Sequence, residues 1–167
     1  CNRNEVEDFV GINSIEQFIG DYAREQNLKF TAPGADTGKK VAIIGGGVGG
    51  LACAYQLRRI GHATTVFDNH KALGGMMRYG IPGYRTPRDV MDHEIQRILD
   101  MGVEVKLNTF VGKDITMEQL REEYDAVVIA IGAQAGRNIP IEGGDAPNCI
   151  TGVAFLDAYN DGRLKNV

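Results

Sequence analysis

The chain lacks the features by which several large classes of protein are recognised. Its 18 basic residues are outnumbered by 22 acidic ones, so it has no basic excess to attract nucleic acid. Its longest strongly apolar run, 126–133, falls far short of the roughly 20 residues that span a bilayer. It also has no basic segment followed by an apolar one, the pattern of a secretory signal. We therefore expect neither a nucleic-acid partner nor a membrane span.

Cysteine is scarce as well, and the three residues are Cys1, Cys53 and Cys149. An odd number at such wide spacing gives neither a disulfide framework nor a C-x-x-C motif. This usage favours a reducing compartment, and we expect a cytoplasmic location. The chain begins with Cys1 rather than methionine, from which we expect it to be part of a longer protein.

Glycine, in contrast, is abundant, with 22 residues among 167, almost twice the usual share of about 7%. The apolar fraction of 43% is normal for a globular domain and argues against disorder. Apolar periodicity predicts strands at 39–44, 63–67, 103–107 and 125–131. It predicts helices at 14–24, 48–60, 116–124 and 153–159, and another that follows a long loop at 69–88. Alternating strands and helices indicate an α/β domain with a largely parallel sheet.

Two of the predicted helices carry recognisable start signals. The helix after the long loop is expected to have Thr86 as its N-cap and Pro87 at its first position. The helix at 116–124 begins with Thr116-x-x-Gln119, the pattern of a capping box. Both signals place helix starts in the second half of the chain.

The densest cluster of glycines lies between the predicted strand at 39–44 and the helix that follows it. It matches the dinucleotide-binding fingerprint as Gly45-x-Gly47-x-x-Gly50. In that fingerprint the first glycine permits a tight turn, the second lets the backbone approach a pyrophosphate, and the third allows close helix–strand packing. The pyrophosphate then lies at the positive N-terminus of the helix. The alternative is a glycine-rich turn with no ligand.

An acidic residue is expected about 20 residues after the fingerprint, and Asp68 ends the second predicted strand. Its carboxylate would accept hydrogen bonds from both ribose hydroxyls and repel a 2′-phosphate, so this first site is not expected to hold NADP. The alternative is a turn residue at the end of a strand. The three histidines, His62, His70 and His93, have no partner by spacing and are interpreted as surface residues.

Two later features favour FAD over NAD. Gly74 and Gly75 follow the acidic residue closely, and the apolar strand at 125–131 ends in Gly132. This strand and glycine resemble an element that flavoproteins with two dinucleotide sites place beside the pyrophosphate. Each feature alone also suits an ordinary loop or core strand, but the ordered set is more specific.

Three segments, 41–54, 73–87 and 124–133, together resemble a known family. They are similar to the small (beta) subunit of glutamate synthase, and to the same module in dihydropyrimidine dehydrogenase and related NAD(P)H-dependent iron–sulfur flavoproteins. The most discriminating piece is Gly-Gly-Met-Met-x-x-Gly-Ile-Pro, which begins at Gly74. The resemblance extends from Cys1 to about Leu156 and implies a Rossmann-like FAD-binding domain with a short N-terminal helical appendage.

The resemblance also implies which residues contact FAD. With the glycines of the fingerprint, they are Gly45, Gly47, Gly49, Gly50, Asp68, Gly74, Gly75, Arg85, Val111 and Gly132. Val111 would contact adenine through its backbone, and Arg85 has the equal alternative of a solvated loop residue. Because the flavin carries the redox chemistry, no side-chain acid, base or nucleophile is expected.

The same resemblance implies a domain organisation. Residues 1–38 look like the end of a helical domain that holds two [4Fe–4S] clusters, with Cys1 similar to a late cluster ligand. One thiolate cannot hold a cluster that needs about four, so we expect no cluster or other metal in this chain. Residues 39–167 look like the first part of an FAD domain, and the family's NADPH domain is expected to lie outside the chain.

In the family, NADPH gives a hydride to FAD, and electrons pass to iron–sulfur centres of a larger partner subunit. The resemblance implies that this chain is the FAD-binding portion of such an oxidoreductase, inactive as an isolated fragment. One alternative is a related electron-transfer subunit that serves pyrimidine, sulfur or formate metabolism. Another is a catalytically silent dinucleotide-binding domain.

Overall fold

A computed structural model describes residues 2–137 and 139–164 of the chain. It forms two compact units, Cys1–Phe30 and Thr31–Val167. Cys1, which resembles a late cluster ligand, lies outside the described residues.

The first unit contains a 3₁₀ turn at Asn2–Glu5 and the helix α1, Ile12–Glu25. The prediction of a helix at 14–24 is confirmed, and the helix starts two residues earlier than predicted. Its apolar side chains recur at helical spacing and form one stripe. Within that stripe, the rings of Phe18 and Tyr22 stack with 6.3 Å between their centroids.

The second unit is built on a four-stranded parallel sheet. Its strands are β1 (Lys40–Ile44), β2 (Ala63–Phe67), β3 (Glu104–Lys106) and β4 (Ala126–Ile129), in the spatial order β3-β2-β1-β4. The predicted α/β domain with a parallel sheet is confirmed. The strand order reverses between β1 and β4, and such a reversal leaves a crevice at the carboxyl ends of the strands.

Within the described residues of this unit, five helices accompany the sheet: α2 (Val48–Arg59), α3 (Met76–Tyr79), α4 (Arg88–Leu99), α5 (Met117–Glu123) and α6 (Gly152–Asn160). The prediction of a loop throughout 69–88 is wrong in part, because α3 forms within it. A single helical turn is too short for apolar periodicity to reveal. None of the helices described in the structure combines the length and apolar character needed to cross a membrane.

The core lies on both faces of the sheet, because successive side chains of a strand point to opposite sides. On one face, the buried side chains come from β1, β2, α2 and α4, and they include Val41, Ile43, Val66, Leu51, Ala54, Met91 and Ile95. On the other face, Ala42 and Phe67 pack against Leu120 of α5. Coverage of both faces is typical of parallel sheets and explains why consecutive residues of β1 and of β2 are buried.

The two predicted helix starts have different outcomes. The capping box of α5 is confirmed, because the Gln119 amide donates to Thr116 Oγ1 at 3.2 Å and the Thr116 amide donates to Gln119 Oε1 at 2.8 Å. The predicted cap of α4 is wrong, because the helix begins at Arg88 and Pro87 occupies the N-cap position without a side-chain hydrogen bond. Pro87 adopts extended ψ of 133°, which removes it from the first helical turn.

We expect Thr116→Ala to lower the free energy of unfolding by about 1 kcal/mol, because it removes the acceptor that caps α5. The matched control is Thr86→Ala, which removes a threonine that caps no helix and should change stability by less than about 0.5 kcal/mol. Urea unfolding of the two variants provides the measurement. Equal losses in both variants would contradict the assignment of the cap.

Candidate dinucleotide-binding site

A cleft of about 930 Å³ opens where β1, β2 and β4 end, the position at which open parallel sheets bind ligands. Of the ten residues implied as cofactor contacts, those that line it are Gly45, Gly47, Gly49, Asp68, Gly75, Val111 and Gly132. Gly50, Gly74 and Arg85 are not in the lining. The cleft thus brings together residues that are far apart in the sequence, and their contact with a cofactor stays a prediction.

Two glycines of the fingerprint are required by the packing of the chain on itself. Gly45 has a φ of +107°, and a Cβ there would lie 2.4 Å from the carbonyl oxygen of Ala130. A Cβ on Gly50 would lie 1.9 Å from the carbonyl oxygen of Gly45. Any larger residue at either position would therefore force the turn away from β4 or α2 away from the turn.

The other two glycines implied in this turn face open space. A Cβ on Gly47 would meet only the Cα of Gly75, at 3.6 Å, and a Cβ on Gly49 would meet nothing within 4 Å. Gly47 is also the N-cap of α2, where it supplies no side-chain cap for the first amides of the helix. An anion placed there would meet free amides at the positive end of the helix. Packing within the chain therefore does not require glycine at either position.

Asp68 directly follows β2 and is 8% exposed, and its carboxylate accepts a hydrogen bond from the glycine turn. Oδ2 accepts a hydrogen bond of 2.6 Å from the Gly46 amide. Oδ1 accepts one of 2.8 Å from the His70 amide and lies 3.1 Å from Nδ1 of the same histidine. Asp68 is therefore part of the cleft and also a structural link between β2 and the β1–α2 turn.

His70 lines the cleft, and the interpretation of it as a surface residue is wrong. Its side chain is 22% exposed, and its ring stacks on Tyr79 with 4.2 Å between centroids. Its Nε2 lies 3.7 Å from Asp157 Oδ1 on α6. Tyr79 follows His70 across an irregular loop, and Asp157 is far away in the sequence, so spacing does not reveal either partner. The available signal was the short Asp68-x-His70 turn, in which an aspartate accepts from the amide two residues later.

The loop at Gly74 and Gly75 packs against the glycine turn. The Gly74 amide donates to the Gly46 carbonyl at 2.8 Å. Gly75 has a φ of +51°, and a Cβ there would lie 2.7 Å from the Cα of Gly47. This contact explains the glycine at position 75, because only a bare backbone fits beside Gly47. Gly74 has a φ of +122°, and a Cβ there would lie 2.9 Å from Met91 Sδ.

Three remaining predicted contacts occupy different surroundings. Val111 is half-buried, forms an isolated bridge with Ile115 and lines the cleft near Asp68 and Thr109. Gly132 lies in the cleft just after β4. Arg85 is exposed and is not part of the cleft lining. It lies in a turn, where its amide donates to the Pro82 carbonyl at 2.9 Å.

Residues 39–167 match the family described as pyridine nucleotide-disulphide oxidoreductase. The chain belongs to this family. The predicted relationship to the glutamate synthase small subunit and its relatives is confirmed as well. The small chain of NADPH glutamate synthase from Escherichia coli is 39% identical over 159 residues, covering 95% of this chain and 34% of that protein.

Other relatives of this chain carry different names. The NADP(+)-dependent formate dehydrogenase subunit beta of Moorella thermoacetica is 39% identical over 191 residues, covering all of this chain and 27% of that protein. The NAD-dependent dihydropyrimidine dehydrogenase subunit PreT of Salmonella typhimurium is 36% identical over 141 residues, covering 84% and 34%. The chain therefore spans about a third or less of the length of the curated relatives it matches.

A solved structure agrees with the fold of this family member. The structure of FprA from Mycobacterium tuberculosis in complex with NADPH superposes with a TM-score of 0.66 and 25% identity. The match covers 73% of this chain and 29% of FprA. FprA is itself described as an oxidoreductase, which agrees with the family assignment.

We expect Gly50→Ala to lower the free energy of unfolding by at least about 2 kcal/mol, because its Cβ would overlap the Gly45 carbonyl. Gly49→Ala is the matched control one residue earlier, and it should change stability by less than about 1 kcal/mol because its Cβ would meet open space. Chemical unfolding without ligand measures both. A tolerated Gly50→Ala would contradict the close approach of α2 to the turn.

We expect Asp68→Ala to lower the free energy of unfolding by about 1–3 kcal/mol, because it leaves the buried Gly46 amide without an acceptor. The control is Asp114→Ala, since Asp114 is exposed and its Oδ2 accepts from the Phe110 amide at 2.8 Å. Water replaces that exposed acceptor, so the loss should stay below about 1 kcal/mol. Equal losses by urea unfolding would show that the Asp68 link contributes nothing beyond an ordinary turn.

Proposed function

We propose that this chain is the FAD-binding portion of an NAD(P)H-dependent flavoprotein oxidoreductase. The observation that carries the proposal is the contrast within the glycine turn. Gly45 and Gly50 are closed by the chain's own atoms, whereas Gly47 and Gly49 are open toward the cleft at the N-terminus of α2. A dinucleotide pyrophosphate is the group that such a turn accommodates.

The carboxylate of Asp68 fits a ribose beside that pyrophosphate. Two carboxylate oxygens offer about four acceptor positions. Backbone amides take two of these positions and the His70 ring a third. One acceptor position is thus left for a ribose hydroxyl, whereas the sequence predicts hydrogen bonds from both ribose hydroxyls. A 2′-phosphate would be repelled by the same charge, which favours FAD over NADP at this site.

Apolar side chains along the cleft favour a flavin as the other end of the dinucleotide. The residues that contribute them are Met76, Met77, Ile81, Phe110 and Ile131. A flat, largely apolar ring system is well matched to such a wall. When bound, FAD supplies hydride acceptance from NADPH and the release of single electrons. This chain's own residues bind and orient the dinucleotide and exclude water from it.

The whole protein extends this proposal. Residues 1–38 would end an iron–sulfur domain to which Cys1 contributes a ligand, residues 39–167 would begin the FAD domain, and the NADPH domain would lie elsewhere in a longer polypeptide. The partner would be a larger electron-accepting subunit in a reducing, cytoplasmic compartment. The relatives are named as subunits of formate dehydrogenase and dihydropyrimidine dehydrogenase and as a glutamate synthase chain, so the acceptor is proposed only as an iron–sulfur class.

The test is flavin content of the polypeptide that contains this chain. We expect a yellow protein whose chromophore is released on denaturation and identified as FAD. Gly47→Val should abolish FAD retention without unfolding the domain, because its side chain would occupy the space above the turn. The matched control is Gly20→Ala on α1, where a Cβ meets nothing within 4 Å. A colourless wild-type protein that binds NAD would overturn the proposal.

A further inference from the structure

The segment 76–81, which we call the cleft wall, has backbone carbonyls that need hydrogen-bond donors from elsewhere in the chain. It supplies Met76, Met77, Gly80 and Ile81 to the lining of the cleft. It contains α3, a helix of four residues, so almost every carbonyl in it lacks an intrahelical partner. Side chains from outside the wall satisfy three of these carbonyls.

Arg88, the first residue of α4, provides two of the donors. Its Nη1 donates to the Met77 carbonyl at 3.2 Å, and its Nη2 donates to the Ile81 carbonyl at 2.7 Å. The planar fork of a guanidinium permits this spread, which a lysine ammonium does not reproduce. Arg88 therefore binds a carbonyl of α3 and the carbonyl at the end of the cleft wall.

Asn160, the last residue of α6, provides the third donor and joins the same network. Its Nδ2 donates to the Tyr79 carbonyl at 2.9 Å, and its Oδ1 accepts from Arg88 Nη2 at 2.9 Å. The side-chain amide of Asn160 therefore donates to the cleft wall and accepts from Arg88, which itself donates to the wall. The two side chains act as a single clamp between α4, α6 and the wall.

Further contacts between α6 and the neighbouring loop reinforce this placement. Lys71 forms an ion pair of 2.8 Å with Asp161, which follows α6 directly. This pair lowers the pKa of Asp161 from its usual range, chiefly through the hydrogen bond from Lys71. Asp157 on α6 approaches His70 of the cleft lining at 3.7 Å. The C-terminal helix is therefore attached to the loop that leads into the cleft wall.

We propose that Arg88 and Asn160 are positioning residues for the dinucleotide, and that they act by fixing the cleft wall. The inference rests on the proposed FAD function. Neither residue lines the cleft, so their effect on a ligand passes through the wall. The glycine turn and Asp68 are held by separate hydrogen bonds, from Gly46 and Gly74. Loss of the clamp should therefore weaken binding of the part of the ligand that reaches the wall. Binding of the part at the glycine turn should not change.

The experiment compares FAD with ADP in the polypeptide that contains this chain, with ADP affinity measured by displacement of FAD. We expect Asn160→Ala and Arg88→Lys each to weaken FAD binding about three- to tenfold, since each loses hydrogen bonds to the wall. ADP affinity should stay within about twofold of wild type, and the absorption and fluorescence of the bound flavin should shift. Asn160→Asp keeps the acceptor for Arg88 but loses the donor to Tyr79, and it should weaken FAD binding as well.

The matched control is Arg59→Gln, because Arg59 is exposed at the end of α2 and donates to Gln56 Oε1 of the same helix at 3.1 Å. It should leave FAD affinity and the flavin spectrum unchanged. Unchanged FAD affinity in the Asn160 and Arg88 variants, or a parallel loss of FAD and ADP, would overturn the inference while leaving the proposed function standing. A wild-type protein without FAD would instead overturn the proposed function, and the inference with it.

Discussion

The hydrogen bond from the Gly46 amide to the buried Asp68 carboxylate, 2.6 Å long, joins the end of β2 to the turn between β1 and α2. The carbonyl of Gly46 is held from the other side by the Gly74 amide at 2.8 Å. Two successive peptide groups of the turn are therefore fixed by residues that follow β2. Because the turn is fixed in this way, the backbone beside it stays open to the cleft.

The glycines of this turn form two groups. Packing within the chain requires some of them, and a bound ligand would require the others. A Cβ on Gly46 would lie 2.2 Å from the Cδ2 of Leu73, although the fingerprint does not specify glycine at that position. Gly45, Gly46 and Gly50 thus have atoms of the chain where a side chain would be. Gly47 and Gly49 have none closer than 3.6 Å, and their openness supports a bound pyrophosphate.

The relatives of this chain are named as parts of formate dehydrogenase, dihydropyrimidine dehydrogenase and glutamate synthase, yet they share this stretch of sequence. That pattern is consistent with a domain whose residues hold a cofactor while other parts of the protein determine the acceptor. The cleft agrees with this division, because its lining offers a glycine turn, one carboxylate and apolar side chains. The redox chemistry itself belongs to the cofactor.

The sequence alone determined the α/β architecture, the glycine turn and Asp68. Strand periodicity and the fingerprint are local patterns that can be recognised without the tertiary structure. The capping box of α5 is local in the same sense. The predicted start of α4 is one residue too early, because Pro87 has the extended backbone of the preceding loop and not a helical one. Helix α3 was missed because one turn has no periodicity.

Only the tertiary structure decided the roles of His70, Arg88 and Asn160. The partners of Arg88 and Asn160 lie on the cleft wall, α4 and α6, which are separate in the chain and adjacent in space. A histidine after a strand or an asparagine at the end of a helix has no distinctive spacing. Arg88 and Asn160 matter because a short helix leaves carbonyls unsatisfied, and only folding brings donors to those carbonyls. His70 matters because folding brings Tyr79 and Asp157 to its ring.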